Sequence, residues 1–155
     1  LGSGSHMMLR VVKGESAIDE GLIAQVREFV EIFFQQRCVL APEMSLQCPV
    51  VRQLDDEDGD VQVAALPLLE EVSSASAELD PERETIAVLA LTSFDLFLDD
   101  CMFVFGHASP RHKACVCSVT RLGEDVSREQ FLRRTLVTLV HEAGHLVKIG
   151  LSCTC

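Results

Sequence analysis

The chain has 155 residues, enough for one domain around a single core, and 48 % of them are apolar, which excludes a disordered polymer. Its 24 acidic residues against 13 basic ones leave a net charge of −11, and such a surface repels phosphate backbones, so nucleic acid is not an expected partner. No apolar run reaches the roughly 18 residues that span a bilayer, so no membrane is expected either.

Residues 1–7, Leu-Gly-Ser-Gly-Ser-His-Met, read as an expression-tag remnant and are set aside. The native start is then Met7 or Met8. No signal peptide is visible, and the expected location is the cytoplasm. The seven Cys are an odd number, and in that compartment they read as thiols or metal ligands rather than disulfides. Trp and Tyr are both absent.

Met8 to Val12 is short, apolar and β-branched, and reads as a first strand. Ser16 to Gln36 reads as a helix. Its apolar stripe includes Leu22, Val26, Phe29, Val30 and Phe33, and Asp19 and Glu20 in the first turn suit the helix dipole. Cys38 to Val51 is broken by Pro42 and Pro49 and is expected to be extended. Asp55 to Asp60 holds five acids and Gly59. It lacks the spacing of a calcium loop, so it reads as a solvated turn that starts a helix. Val61 to Ser74 is expected to be that helix, with Pro67 kinking it or shortening its first turn. Ile86 to Leu91 reads as a buried strand. Met102 to Phe105 is another, stopped by Gly106. Ala114 to Val119 is a third, with Cys115 and Cys117 on one face. The order predicts an α/β or α+β domain with a mixed sheet and helices packed against it. No repeat or linker divides it.

The last helix carries the chemistry. Ser127 and Gln130 form a capping box, and Phe131, Leu132, Leu136, Val140, Ala143 and Val147 follow at helical spacing. Near its end stands His141-Glu142-Ala143-Gly144-His145. Residues four apart share one helix face, so both imidazoles reach one ion, and two neutral imidazoles suit zinc. Zinc lowers the pKa of a bound water to about 7, and a carboxylate beside it takes the proton during attack on a carbonyl. Glu142 is the candidate for that carboxylate. A five-residue match also arises by chance on ordinary helix surface. The amphipathic helix around this one is what favours a metal site.

Several segments resemble the archaemetzincins. Phe103-Val104-Phe105-Gly106-His107-Ala108 is similar to the Phe-Val-Phe-Gly-x-Ala stretch of that family. Leu91-Thr92-Ser93-Phe94-Asp95-Leu96 resembles the segment before it. Val116-Cys117-Ser118-Val119-Thr120-Arg121-Leu122 resembles the strand end before the motif helix. These matches and the zinc motif run in the family's order and cover about half the chain well. The resemblance implies a compact, metzincin-like single domain over residues 8–155. Its twisted mixed sheet packs with an N-terminal helix, a second helix and the active-site helix. It implies a zinc peptidase with Glu142 as general base and His141 and His145 as ligands. Peptide substrate lies along an edge strand by strand addition. Phe103, Val104 and Phe105 are the candidates for that edge. A second, structural zinc site built from four Cys is also implied, with Cys153 and Cys155 as possible members and Cys115 and Cys117 as possible partners. The simpler reading of Cys115 and Cys117 is small core residues on a strand.

The chain also departs from the family. Its long motif continues with Gly, a third His and later a Met. Here Lys148 stands at the Gly position, Leu151 at the His position, and the Met is missing. Two explanations stay open. The third ligand is lost and the protein is a silent peptide-binding relative, or a segment is missing after Val147 and Cys153-x-Cys155 belongs further on. His107 and His112 are alternative ligands, although His107 fits a cleft or surface position better. Asp95 reads as a turn acid, and Asp99 and Asp100 as a solvated loop. Peptide specificity and oligomeric state are not legible.

Overall fold

The computed structural model describes residues 4–147. Its centre is a five-stranded sheet in the order β2 (Cys38–Leu40), β1 (His6–Val12), β5 (Thr85–Thr92), β9 (Ala114–Ser118), β8 (Gly106–Ser109). The first four run parallel and β8 runs antiparallel along one edge. β1 is buried throughout and six of the eight residues of β5 are buried. That explains the unbroken apolar run Ile86–Leu91 of β5, since a parallel strand covered on both faces has no polar side, whereas β1 also buries His6 and Arg10, the latter donating to Ser76 Oγ at 3.1 Å. β1 begins at His6, two residues before the expected Met8. His6 and Met7 are both buried, and His6 N donates to Glu84 O at 3.1 Å, so neither can be set aside from the fold.

Two helices cover one face. α1 (Glu20–Phe34) starts at Asp19, whose carboxylate accepts from Leu22 N at 3.0 Å, and stops at Gln35 in the left-handed region with φ 51°. It is therefore shorter than the expected 16–36. Leu22, Val26 and Val30 pack onto Met7, Leu9, Leu89, Leu91, Cys115 and Cys117. α3 (Arg128–Leu146) joins that layer through Leu139 and Ala143. The opposite face is covered by α2 (Ala65–Ala77), whose Leu68, Leu69 and Val72 meet Met8, Val12, Val88 and Val116.

A second, four-stranded sheet flanks α2 in the order β3 (Val51–Gln53), β4 (Val61–Ala64), β6 (Asp95–Leu98), β7 (Cys101–Val104). It corrects the expected helix over Val61–Ser74. Val61 to Ala64 is a strand, antiparallel to β3 and parallel to β6, and the helix begins only at Ala65. Alternation does not account for it, because Val61 is exposed and Gln62 is buried, its amide bonded to Asp95 and to Met102 O; strand neighbours far away in the chain decided the matter. Pro67 then falls in the first turn, where a missing N–H leaves nothing unpaired. The acidic run is correspondingly the turn of a hairpin, not a helix start. Asp60 N donates to Asp56 Oδ1 at 3.1 Å and Gly59 takes φ 63°. β6 and β8 have only four residues each, too few for a period to show. No helix of the described residues is long and apolar enough to cross a membrane.

Candidate metal centre and cleft

The expected capping box is present. Ser127 Oγ accepts from Gln130 N at 3.2 Å, and Gln130 Oε1 accepts from Ser127 N at 3.4 Å. It fixes the start of α3, and Leu139, Ala143 and Gly144 are buried along its inner side. Helical phase then turns His141 and His145 to one side. Their Nε2 atoms lie 3.4 Å apart and their rings are nearly perpendicular, at 86°.

That spacing tests the fit of a metal. Two nitrogens each about 2.0–2.1 Å from one tetrahedral zinc lie about 3.3–3.4 Å from each other. The two rings therefore already stand as neighbouring corners of such a site. Without metal, the same distance lets one Nε2–H donate to the other ring's lone pair. The donor type, the shared face and the spacing all suit zinc. Among the described residues, no cluster of three or more His, Cys, Asp or Glu side chains is placed to hold a metal. Lys148, Leu151, Cys153 and Cys155, and the expected interruption after Val147, lie outside the described residues.

Glu142 is half-buried between α3 and the sheet. Burial pushes its carboxyl above the ordinary range, and the charges of His141 and His145 oppose that rise. A carboxylate raised in this way is a better proton acceptor. Its position depends on Gly106, which opens β8. A Cβ there would lie 2.7 Å from Val116 O, 2.9 Å from Glu142 Cγ and 3.3 Å from Thr138 Cγ2. Only glycine lets α3 approach β8 this closely. In the sequence Gly106 reads merely as a strand stop.

The expected edge strand, Met102 to Phe105, falls mostly on β7 (Cys101–Val104). β7 is an edge, but of the small sheet, and Phe105 lies between the two sheets' strands. The edge strand that packs against α3 is β8. Gly106 and Cys117 face each other in the antiparallel register, and Ser118 N donates to Phe105 O at 2.8 Å. Alternation then turns the N–H and C=O of Gly106 and Ala108 away from β9, toward the open edge.

Asp95 is more than a turn acid. It opens β6 and holds Arg121 through two bonds, Nε to Oδ1 and Nη2 to Oδ2, both 2.8 Å. Gln62 Nε2 adds a third bond at 3.0 Å. Burial alone would raise the Asp95 carboxyl, but the hydrogen bonds from Arg121 and Gln62 and the Arg121 charge outweigh it and hold the carboxyl below the usual range. The clamped guanidinium lies 4.0 Å from the centre of the Phe103 ring. Arg121 thus ties β6, β7 and the loop before α3 together beside the cleft. Asp99 and Asp100 are exposed, as expected.

The remaining candidates separate. Cys115 and Cys117 are fully buried, and burial raises both thiols far above their ordinary value, with the Glu142 charge adding to it. They are core residues. His112 caps a turn on the α2 side, with Nδ1 2.7 Å from Ser109 Oγ. His107 has its pKa lowered by burial and then by the charge of His145. It is near the pair but completes no cluster with it.

No protein-family model matches the chain. It is similar to the archaemetzincin of Thermococcus kodakarensis, at 31 % identity over 149 positions, covering 87 % of this chain and 72 % of that one. Among solved structures, the archaemetzincin of Methanopyrus kandleri superposes with a TM-score of 0.66 and 27 % identity, over 96 % of this chain and 77 % of the other. A zinc-dependent peptidase from Methanocorpusculum labreanum has the same fold, with a TM-score of 0.68 at 18 % identity, over 94 % of this chain and 83 % of that chain.

Proposed function

Because the chain belongs to the archaemetzincin family, we propose that it is a zinc-dependent peptidase whose zinc is held by His141 and His145 and whose general base is Glu142. The observation that carries this reading is the 3.4 Å between the two Nε2 atoms on one face of α3. The name of the fold's relative from Methanocorpusculum labreanum, a zinc-dependent peptidase, supports it.

When bound, zinc supplies a Lewis acid that activates water and polarises the scissile carbonyl. Glu142 takes the proton of the attacking water and returns it to the leaving amine. Its burial against β8 suits the task, since a carboxyl raised by burial is a better proton acceptor. The outward N–H and C=O groups of Gly106 and Ala108 align the peptide as an added strand, which sets its backbone alongside Glu142. The third zinc ligand and a cysteine-built second site are not identified among the described residues. Of the cysteines first considered for that site, Cys115 and Cys117 remain in the core.

The experiment measures zinc content and cleavage of an unstructured peptide, with and without chelator, for the wild type and Glu142→Gln. The expected result is about equal zinc in both proteins, cleavage by the wild type only, and loss of that cleavage with chelator. Bound zinc without any cleavage would favour the silent peptide-binding protein.

A further inference from the structure

An open cavity of about 650 Å³ runs along the first half of α3 and is closed on its far side by Phe105 and the loop that carries Arg121. Thr138 forms its near end. Thr138 Cγ2 and Glu142 Cγ both crowd the hydrogen face of Gly106, so the cavity ends one helical turn before the proposed base. Three arginines line it and no acid does. In a protein of net charge −11 that is a local reversal of sign.

The three guanidiniums are not equivalent. Arg121 is spent on Asp95. Arg133 and Arg134 have no acidic partner among the described residues, and Arg134 makes only one weak bond, Nη1 to Leu122 O at 3.4 Å. Both are exposed and stand on the cavity's rim, with Val137 and Phe105 giving it an apolar wall. A guanidinium fork facing an apolar wall fits a carboxylate on a short carbon stem.

We propose that Arg133 and Arg134 form a subsite that holds a carboxylate of the peptide substrate. The proposal rests on the peptidase reading for the position of the bond that is cut. Arg134 precedes His141 by seven residues, or about 10 Å along a helix. An extended peptide covers that in about three residues. The bound carboxylate therefore lies within about three residues of the scissile bond. It belongs to a Glu or Asp side chain or to the peptide's own C-terminus, which carry the same group.

The test separates these sources and does not depend on hydrolysis. Fluorescent peptides carrying Glu or Gln at each position near the centre, each as C-terminal acid and amide, are titrated by anisotropy against zinc-loaded Glu142→Gln protein. One carboxylate-bearing peptide should bind about tenfold tighter than its neutral counterpart, the worth of one charge-assisted hydrogen bond. The gap should shrink with added salt. The double substitution Arg133→Gln with Arg134→Gln should bring the pair within about twofold, and Arg133→Glu with Arg134→Glu should favour a Lys peptide instead. A gap at Glu against Gln assigns a side chain, and a gap at acid against amide assigns the terminus. Equal binding of all peptides, no binding of any, or a gap that survives both double substitutions overturns the subsite. Binding with the expected gap but no cleavage by the wild type leaves the subsite and removes the peptidase reading. Cleavage without the gap does the reverse.

Discussion

Gly106 and Glu142 are fitted to each other: a methyl group on Gly106 would stand 2.9 Å from Glu142 Cγ, with Val116 O only 2.7 Å away on the other side. The carbonyl cannot withdraw without breaking the β8–β9 ladder, so the carboxylate side chain must move. Gly106→Ala should destabilise the protein by about 1–3 kcal/mol through overpacking and lower peptide cleavage more than it lowers zinc content. Denaturant unfolding and metal analysis of the same preparation check this. Unchanged cleavage would mean that Glu142 is not held by β8.

The histidine pair makes zinc binding the most direct observable. His141→Ala and His145→Ala should each lose most bound zinc, whereas Glu142→Gln should not. Imidazole must be neutral to bind, so acid should also release the zinc. Removing it with chelator should lower the melting temperature, because a ligand bound only to the folded state stabilises that state. Equal zinc in the wild type and both Ala variants would place the metal elsewhere.

Asp95 links stability to acid. Its folded pKa lies below the ordinary 3.8, so the stabilisation is present above that value and is lost as pH falls through the folded pKa. Asp95→Asn should cost about 1–3 kcal/mol at neutral pH, since it leaves Arg121 without its charged partner. It should also flatten the acid limb of the stability curve. Urea unfolding of both proteins between neutral pH and pH about 3 tests it. Parallel acid limbs would show that the pair contributes nothing.

Thiol reactivity should sort the described cysteines by burial. Cys48 and Cys101 are exposed and should alkylate first in the native protein. Cys38 is buried, its pKa pushed up to about 11 chiefly by that burial, and should react slowly. Cys115 and Cys117 should react only on unfolding. Peptide mapping after timed labelling reads all five. Rapid native labelling of Cys115 or Cys117 would contradict their place in the core.

The amino-acid sequence by itself determined the parts that are local. A 3.6-residue period places His141 and His145 on one face whatever surrounds the helix, and the Ser127–Gln130 box fixes where that helix begins. The continuous apolar run of β5 was legible for the same reason, since a strand buried on both faces has no alternation to hide, whereas the burial of Arg10 within β1 was not. What lies across the chain was not legible. Val61 to Ala64 is a strand because β6, more than thirty residues later, pairs with it. Asp95 became a clamp only because Arg121 folds back to it across 26 residues. The edge beside the motif moved from Met102–Phe105 to Gly106–Ser109 because sheet order, not local pattern, decides which strand α3 meets. Periodicity records which face of an element is apolar. It does not record which distant element covers that face, and here the neighbours that α3 acquires in the fold are what hold Glu142 against Gly106.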